Sequence, residues 1–475
     1  MRRLKKLSKR PRTSGLLAGC LAAVALLATA SAASAVTYRP TRTDDPAPNG
    51  CKKKNCSLRE AVIAANASGT PATILLRPGK RYVLTRKGAG ENATLTGDLD
   101  ISSGPLTVKT EGGGKTDQAT IDANGIDRIF DGSLTLNGVT LRDGHARTVA
   151  GDTGVGGAIR GGTLDIRNSR LVNNTTDDPP SHIFADASGG AIFVNSGGEV
   201  KIDRTRLKGN KAAGPGGAIF ISRSGSASLF KSTLARNQSA YYGGGLGIDA
   251  GAYATVNRSA ISGNNAGVGR SAGGGIGINA PEGGTTTLEV ENSTVANNSA
   301  GGDGGGISTP TTPDSGSHAT VVLDHVTIVR NEANLEAEAG VQRGGEGGGI
   351  YAAGLVSFSV HNSVVALNTV SRQVRGVPGL PSDCTLLFGS PFLSLGHNLI
   401  GNADGCTGFG ATDLFGGKLG LGKLADNGGP TKTIALMKGS RAIGHGEPDA
   451  VRVDQRGVKR GNKPDIGAYE RRAKK

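Results

Sequence analysis

Apolar residues recur at fixed positions in eight windows of eleven residues, which lie between about residue 130 and residue 370. The windows begin at Leu134, Leu164, Val200, Ala227, Ala254, Leu288, Val321 and Phe358. Their third positions are Leu136, Ile166, Ile202, Leu229, Val256, Val290, Leu323 and Val360. Their eighth positions are Leu141, Leu171, Leu207, Leu234, Ile261, Val295, Ile328 and Val365. Apolar residues that alternate with period two predict β-strands with one buried face.

The eleventh position of each window is the most uniform. It is Gly144 in the first window and then Asn174, Asn210, Asn237, Asn264, Asn298, Asn331 and Asn368. A corner between strands favours a residue that tolerates a left-handed backbone, as Asn and Gly do. Stacked Asn amides also hydrogen-bond to one another. We therefore interpret the series as a structural asparagine ladder, in preference to a row of ligand-binding amides.

A Gly-Gly pair, followed by a small and then an aliphatic residue, separates the windows. Its seven copies begin at Gly156, Gly189, Gly216, Gly243, Gly273, Gly304 and Gly347. A single turn of such a chain cannot bury its aliphatic residues, whereas stacked turns join them into continuous ridges. Windows spaced by 27 to 37 residues fit constant strands joined by variable loops. The sequence thus predicts an all-β solenoid, a parallel β-helix.

This combination of Gly-Gly-Ala-Ile with an apolar-x-x-Asn step resembles the repeats of chlamydial polymorphic outer-membrane proteins and related right-handed parallel β-helix proteins. The resemblance covers about half of the chain and implies the right-handed form of the fold. Those proteins carry Phe at positions where this chain has Leu, Ile or Val.

Composition excludes several other protein classes. Glycine accounts for 78 of the 475 residues, and the aromatic residues are 10 Phe, 7 Tyr and no Trp. A compact α/β enzyme of this length carries more aromatic residues and less glycine. Collagen is excluded because Gly does not occupy every third position. Disorder is excluded because the apolar residues recur regularly.

Residues 1–35 have the pattern of a secretory signal peptide. A basic segment (residues 2–12) precedes an apolar segment (residues 15–28), and residues 33–35 supply small side chains for cleavage after Ala35. Residues 17–20 also match a lipoprotein signal, which would place a lipid on Cys20. The apolar segment continues beyond Cys20, and this favours plain secretion to the extracellular space, with no transmembrane span after signal removal.

Loss of the seven basic residues in this segment lowers the formal net charge from +15 to +8. A modest positive charge is compatible with acidic polysaccharide or teichoic-type polymers as partners. The sequence outside the signal shows no concentrated basic patch, and the short run of Lys52, Lys53 and Lys54 is typical of a solvated loop. No motif for nucleic-acid binding is present.

Four cysteines remain after Cys20 is removed: Cys51, Cys56, Cys384 and Cys406. An even number in a secreted chain predicts two disulfides, and the partners nearest in sequence pair Cys51 with Cys56 and Cys384 with Cys406. The spacing does not match a zinc site, because there is no Cys-x-x-Cys and no suitably placed His. We expect no metal ion and no cofactor.

The N-terminal end of a solenoid must be covered, because it exposes apolar core. Residues 56–66 read Cys-Ser-Leu-Arg-Glu-Ala-Val-Ile-Ala-Ala-Asn and predict a short capping helix, with Ser57 and Glu60 at capping-box spacing. The segment resembles the CSLREA motif of secreted β-helix proteins. Arg59 and Glu60 are expected to act in the cap through a local ion pair.

The C-terminal hundred residues resemble a choice-of-anchor Q domain. The matching segments are residues 383–384, 395–401, 405–406, 426–431, 454–457 and 465–470. The family usually has Asp where this chain has Gly444. The resemblance implies an extracellular protein, and we expect a closing cap in which Arg456 pairs with a carboxylate such as that of Asp465 or Glu470.

The predicted organisation has four parts: a signal peptide (1–35), an N-terminal cap with the first coils (36–130), the β-helix repeats (131–375) and the C-terminal cap (376–475).

Candidate chemistry lies on outward positions of the predicted strands. Asp203, Glu291 and Asp324 share one outward series, but two coils separate Asp203 from Glu291, so those two are too far apart to act as a glycosidase pair. Phe193, Phe220 and Tyr351 follow Gly-Gly motifs, and the two Phe side chains either form a face that stacks on a ligand or lie beneath a long loop (residues 177–188). No catalytic residue is assigned.

The preferred prediction is a non-enzymatic, adhesin-like protein that recognises carbohydrate or cell-envelope material. The alternative is an extracellular polysaccharide lyase or glycoside hydrolase. The sequence does not predict an oligomeric state.

Overall fold

The structure, a computed structural model, describes residues 35–114, 116–149, 152–177, 184–267, 272–280, 284–310, 317–335, 337–338, 341–342, 346–372, 379–387, 390 and 392–472. The predicted signal peptide with Cys20, apart from Ala35, lies outside the described residues. Within the described residues, no helix is long and apolar enough to cross a membrane.

The protein is a parallel β-helix, as the sequence predicted. Each turn of the chain, called a coil below, passes through three parallel sheets. Sheet 1 has twenty strands in two side-by-side columns, and two long strands, Ile159–Arg167 and Ile192–Asp203, belong to both columns. The first column also contains Leu99–Asp100, Phe130–Asp131, Ile219–Ile221, Leu246–Ile248, Ile276–Ile278, Ile307–Pro310, Ile350–Ala353 and Cys384–Leu387. The second also contains Val36–Tyr38, Ala72–Leu76, Leu106–Thr110, Leu134–Asn137, Ser226–Phe230, Tyr253–Asn257, Gly284–Glu291, Ser317–Asp324, Val356–His361 and Phe392–Gly396.

The other two sheets are built from shorter strands. Sheet 2 contains Arg81–Val83, Ala119–Asp122, Val139–Arg142, Arg170–Val172, Arg206–Lys208, Thr233–Ala235, Ala260–Ser262, Thr294–Ala296, Thr327–Val329, Val364–Ala366, Leu399–Ile400 and Leu414–Phe415. Sheet 3 contains His145–Ala146, Thr175–Thr176, Lys211–Ala212, Gln238–Ser239, Asn265–Ala266, Ser299–Ala300, Glu332–Leu335, Thr369–Arg372 and Leu380–Pro381, the last of which pairs antiparallel. The structure also contains two hairpins and two 3₁₀ turns. The hairpins are formed by Ala337–Glu338 with Val341–Gln342 and by Leu421–Ala425 with Thr433–Leu436. The 3₁₀ turns are Glu111–Gly113 and Phe184–Ala187.

The predicted aliphatic series are stacked in register. Ile166 is the partner of Ile202, and Ile202 is the partner of Leu229. In sheet 2, Leu171 pairs with Leu207, and Leu207 pairs with Leu234. All these side chains are at most 1% exposed. The core is therefore a set of ridges that run from coil to coil, which confirms the interpretation of the windows.

The asparagine ladder lies one residue beyond the corner at which we expected it. The left-handed residues between sheets 2 and 3 are Asp143, Asn173, Gly209, Arg236, Gly263, Asn297, Arg330 and Leu367. The ladder residue follows each of them, with its side chain in the core. Asn210 Nδ2, for example, donates to Asn237 Oδ1 at 2.9 Å and to the carbonyl of Leu171 at 3.1 Å. The left-handed backbone we assigned to these asparagines was wrong, because the preceding residue makes the turn.

A second corner and a second ladder join sheets 1 and 2, and the sequence analysis missed both. The left-handed residues there are Gly138, Asn168, Arg204, Lys231, Arg258, Asn292, His325 and Asn362. Each is followed by an inward residue that is Ser or Thr in most coils. The Ser232 amide donates to Ser259 Oγ at 3.0 Å, and the Ser259 amide to Ser293 Oγ at 3.0 Å. Both corners therefore combine a left-handed turn with a buried polar ladder.

The Gly-Gly motif is required by two separate features of the backbone. The first glycine of each pair has a positive φ, as at Gly216 with φ +72°. The second lies against the backbone of neighbouring coils, so that a Cβ on Gly217 would be 2.2 Å from the Gly244 carbonyl oxygen. Glycine, which has no Cβ, meets the condition at each of the two positions without strain.

The N-terminal end carries the predicted capping helix, α1 (Leu58–Ser68). Ser57 and Glu60 form the capping box, and Leu58, Val62 and Ala65 are buried in the main core. Arg59 does not pair with Glu60 but with Asp45 at 2.8 Å, and it also donates to backbone carbonyls such as that of Gly97 at 2.8 Å. The ion pair we expected within the motif is thus replaced by one that ties α1 to the neighbouring loops.

Aromatic rings in edge-to-face contact lie at the C-terminal end of the stack of coils. Phe392 in the last strand of sheet 1 contacts Phe409 at 5.2 Å between ring centroids, and Phe409 contacts Phe415 at 5.2 Å. One disulfide joins Cys384 to Cys406 at this end, and the other joins Cys51 to Cys56 near α1, as predicted.

Residues 418–472 are called the return segment. We expected them to cover the end of the stack of coils, but they run back along the outer face of sheet 2. Ile434, Leu436, Ala442 and Ile466 pack there in one cluster. The surface they cover consists of Ala296, Val329, Val364, Ala366 and Leu399. Gln455 Nε2 donates to the Ser259 carbonyl at 3.0 Å, across 196 residues of sequence.

Arg456 pairs with a carboxylate, as predicted, but not with either of the two named as examples. Arg456 pairs with Asp454 at 2.7 Å and stacks on the Tyr469 ring, whereas Arg460 lies 3.5 Å from the Glu470 carboxylate. Asp454 is two residues from Arg456 in the same turn, and this local pair forms within the return segment itself.

Candidate functional site: a cationic groove

A groove of about 810 Å³ lies between the outer face of sheet 2 and the return segment. Its lining contains one carboxylate, Asp426, and seven basic side chains: Arg170, Arg204, Arg206, Lys208, Lys231, Arg236 and Lys432. Six of these cations come from the coils and one, Lys432, from the return segment. Such a concentration of one charge sign attracts anions to the groove.

The fold brings these cations together from two kinds of position. Arg170, Arg206 and Lys208 are on strands of sheet 2, with Arg170 directly beside Arg206 in the register. Arg204 and Lys231 occupy the corner between sheets 1 and 2, and Arg236 the corner between sheets 2 and 3. These residues are up to 66 positions apart in the sequence, and only the stacking of coils places them on one surface.

Most of this positive charge is not neutralised within the protein. Arg204 pairs with Asp203 at 2.6 Å. In the described part of the chain, Arg206, Lys208 and Arg236 have no carboxylate oxygen within ion-pair distance. Neighbouring strands are separated by about 4.8 Å, so like charges on adjacent coils repel. The groove therefore presents a net positive charge to the solvent.

Three of the cations also occupy backbone positions that disfavour them. Arg204, Lys231 and Arg236 have φ values of +45°, +50° and +55°. A left-handed backbone costs a residue with a Cβ about 1–2 kcal/mol, and eight of the other thirteen positions at these two corners carry Gly or Asn. The other five carry Asp143, Arg258, His325, Arg330 and Leu367, so the strain is a feature of the corners throughout the stack.

An aromatic ring lies beside these cations. Phe230 is 37% exposed, and Lys231 Nζ lies 4.5 Å from its ring centroid. The Arg258 guanidinium lies 5.9 Å from the same centroid. Burial, together with the positive charges of Arg258 and Arg204, lowers the pKa of Lys231. An exposed ring flanked by cations provides a stacking surface next to the anion-binding surface.

The aromatic residues proposed as a binding face are largely buried. Phe193 and Phe220 stack at 5.6 Å between centroids, and Tyr242 packs on the other side of Phe220 at 6.2 Å. Phe220 is 4% exposed and Tyr351 is 8% exposed. Residues 178–183 of the proposed covering loop lie outside the described residues, so the interpretation that the loop covers the two Phe side chains stays a prediction.

The three carboxylates of the outward series do not form an acid–base pair. Asp203 is engaged by Arg204, and Glu291 accepts from Asn257 Nδ2 at 3.1 Å. Asp324 is hydrogen-bonded to two histidines. Two coils separate Asp203 from Glu291, as expected, and their strands carry Phe230 and Asn257 at the same position.

A cluster of buried acids near the N-terminal end belongs to a structural ion network. Asp98, Asp100 and Asp131 lie close together. Arg128 lies 3.0 Å from Asp98, and Arg160 pairs with Asp131. The guanidinium groups neutralise part of this charge and hold the first coils together.

The groove was not predicted because its basic residues are scattered one by one along the sequence. A signal was present in the outward positions of sheet 2, the seventh and ninth of each window. These read Arg and Lys in the strand Arg206–Lys208 but Thr and Ala in Thr294–Ala296. This change marks where sheet 2 passes from the exposed groove to the surface covered by the return segment.

No family model matches the sequence, and no curated protein matches it. Among solved structures, the chain is similar to the crystal structure of pectate lyase Pel9A, with a TM-score of 0.45 and 13% sequence identity. The alignment covers 92% of this chain and 98% of that chain.

Proposed function

We propose that this protein is an extracellular, adhesin-like recognition protein whose groove binds a linear acidic polysaccharide without cleaving it. The observation that carries the proposal is the set of basic side chains in the groove that lack acidic partners among the described residues. An acidic ligand would remove the repulsion between them.

The dimensions of the groove favour a chain over a small anion. Apart from Gln118 and the return segment, its lining residues come from five successive coils, from Asn168 to Asn297. Four steps of about 4.8 Å give a length of roughly 20 Å. A surface of that length contacts several sugar units at once.

The chemistry of the lining favours carboxylated sugars. Arginine forms paired hydrogen bonds with carboxylates. Phe230 offers its ring face to the apolar face of a sugar. A polymer with a carboxylate on each unit would meet a cation from almost every coil in the first half of the groove.

The extracellular location rests on the sequence of the ends of the chain. Residues 1–35 are proposed to be a signal peptide, and residues 56–61 are proposed to place the protein among secreted CSLREA-type β-helix proteins. Residues 376–475 are proposed to be a choice-of-anchor Q-like region. Two disulfides support an oxidising location.

Binding to polygalacturonate tests the proposal. The affinity of the natural protein is compared with that of the triple variant Arg206→Ser, Lys208→Ser, Arg236→Gly by isothermal titration calorimetry. Each lost ion pair is worth up to about 1 kcal/mol, so we expect a roughly 10- to 100-fold weaker affinity. Fully methyl-esterified polymer, which lacks the charge, should bind neither protein tightly.

A matched control removes the same charge from another surface. Lys52, Lys53 and Lys54 are exposed and far from the groove lining, and the variant with all three changed to Ser should bind normally. Equal losses in both triple variants would refute a specific groove. Tighter binding of a polymer of glycerol phosphate would overturn the assignment to polysaccharide, and release of unsaturated or reducing ends would overturn the non-enzymatic function.

A further inference from the structure

Two histidines and two aspartates meet where the return segment crosses the corner between sheets 1 and 2. Asp324 ends a strand of sheet 1, His325 is the left-handed corner residue after it, and His361 is the register partner of Asp324 on the next coil. Asp449 comes from the return segment. These four residues are called the His–Asp cluster, and they lie outside the groove.

The donor atoms of the cluster converge. His325 Nδ1 lies 2.9 Å from Asp324 Oδ1 and 3.6 Å from Asp449 Oδ2. His361 Nδ1 lies 3.2 Å and 3.6 Å from the same two oxygens. Ligands bound tetrahedrally to a zinc-sized ion at about 2.1 Å are roughly 3.4 Å apart. The four measured separations bracket this value, and Asp324, His325 and Asp449 are compact enough to hold one ion.

The His325 side chain is buried, although one of its two ring nitrogens has no hydrogen-bond partner in the described structure. Its side chain is 0% exposed, and its Nε2 atom has no hydrogen-bond partner in the described structure. Its backbone has a φ of +53°. A buried polar atom without a partner costs about 1–3 kcal/mol. The other ring nitrogen, Nδ1, faces Asp324 and Asp449.

Neighbouring side chains hold the second aspartate in place. Asn362 Nδ2 donates to Asp449 Oδ2 at 3.1 Å and to the Glu447 carbonyl at 3.1 Å. Asn362 Oδ1 accepts from the Glu447 amide at 2.8 Å. Hydrogen bonds of this kind orient the ligands of metal sites.

We propose that the His–Asp cluster binds a divalent transition-metal ion of the zinc class through Asp324, His325 and Asp449, with His361 hydrogen-bonded to Asp324 beside the ion. Imidazole and carboxylate donors together favour zinc, cobalt or nickel over calcium and magnesium, which prefer oxygen alone. Because Asp449 belongs to the return segment and the other three to the coils, the ion would fasten the two together.

Cobalt(II) provides a direct probe of the site. The whole protein is freed of metal by chelation and titrated with Co²⁺, and zinc binding is measured in parallel by calorimetry and thermal unfolding. We expect one equivalent of Co²⁺ to give the visible absorption of a nitrogen- and oxygen-ligated ion, and zinc to raise the melting temperature. Calcium and magnesium should do neither.

Variants separate the site from adventitious binding. Asp449→Asn and His361→Gln together should remove the cobalt spectrum and the thermal shift, while circular dichroism shows that the fold is kept. His445→Gln changes an exposed histidine near the cluster in sequence and should change nothing. Absence of a stoichiometric site in the natural protein, or a spectrum unchanged in the double variant, would overturn the proposal. If the double variant fails to fold, Asp449→Asn alone must still lower the affinity at least tenfold.

Discussion

Nδ2 of Asn237 donates a hydrogen bond to Oδ1 of Asn264, one coil further along, over 2.9 Å. The Asn237 amide donates to the same oxygen, also at 2.9 Å. Each ladder asparagine after Asn174 thus receives two hydrogen bonds from the coil before it and gives two to the coil after it, whereas Asn174 receives one, from the Gly144 amide. The row ends at Asp383, which accepts from Asn368 in the same way.

Asn264→Ala is expected to destabilise the protein by about 3 kcal/mol or more. The change leaves two donors of Asn237 buried without an acceptor, at about 1–3 kcal/mol each. Chemical denaturation measures the change in the free energy of unfolding. Asn265→Ala removes a half-buried amide from the next position, with its bond to Ser299, and should cost only about 1 kcal/mol. Similar losses in both variants would contradict this account of the ladder.

Gly217→Ala is expected to prevent folding or to cost several kcal/mol. The new Cβ would lie 2.2 Å from the Gly244 carbonyl oxygen, and a backbone atom in the stack cannot move away cheaply. Gly162→Ala is the control, since its nearest atom is Ser133 Oγ at 3.7 Å. Soluble yield and thermal unfolding distinguish the two. A Gly217→Ala protein with the stability of Gly162→Ala would show that the coils are less closely stacked.

Arg236→Gly is expected to weaken polysaccharide binding without loss of stability. It removes a left-handed strain of about 1–2 kcal/mol, which the extra backbone entropy of unfolded Gly, about 0.5–1 kcal/mol, offsets in part. Gly209 and Gly263 already occupy this corner in the neighbouring coils. The free energy of unfolding should therefore be unchanged or up to about 1 kcal/mol higher. A clear loss of stability would mean that Arg236 has a structural role.

Asp100→Asn is expected to stabilise the protein at pH 7. Burial, and the nearby charges of Asp131 and Glu91, raise the pKa of Asp100 to about 6. The pKa of Asp100 in the unfolded chain is about 3.9. The protonated Asp100 side chain therefore stabilises the folded protein below pH 4, and this stabilisation is lost as the pH rises through 6. The charged form thus costs up to about 3 kcal/mol at neutral pH.

The pH dependence gives the measurement for this variant. Asn retains an oxygen to accept from the Thr94 amide at 2.9 Å. The slope of stability between pH 4 and 6 should become flatter in Asp100→Asn, whereas the control Asp165→Asn should retain it. Lower stability of Asp100→Asn at pH 7 would mean that the carboxylate is stabilised by its surroundings.

The stacked part of the fold could be predicted because its order is local and periodic. Alternation placed Ile166, Ile202 and Leu229 on one ridge, where the structure has them. Sequence position also identified the ladder residues, but not which of two adjacent residues makes the turn. Only the backbone shows that Arg236, and not Asn237, is left-handed.

The groove and the return segment could not be predicted from periodicity, because they depend on contacts between distant residues. Arg258 donates to the Gln455 carbonyl at 3.1 Å across 197 residues, and no repeat in the sequence encodes such a contact. The cations of the groove were visible one at a time. Their common surface depends on the register and on where the return segment leaves sheet 2 uncovered.

The course of the return segment has a consequence for how the protein unfolds. Solenoids unfold readily from their ends, since each repeat is held only by its immediate neighbours. Here the return segment runs along the coils from Ser259 to Leu399, and its residues Gln455 and Ile466 contact separate coils. This half should melt as a single cooperative block, whereas the earlier coils, without such a segment, remain free to fray one by one.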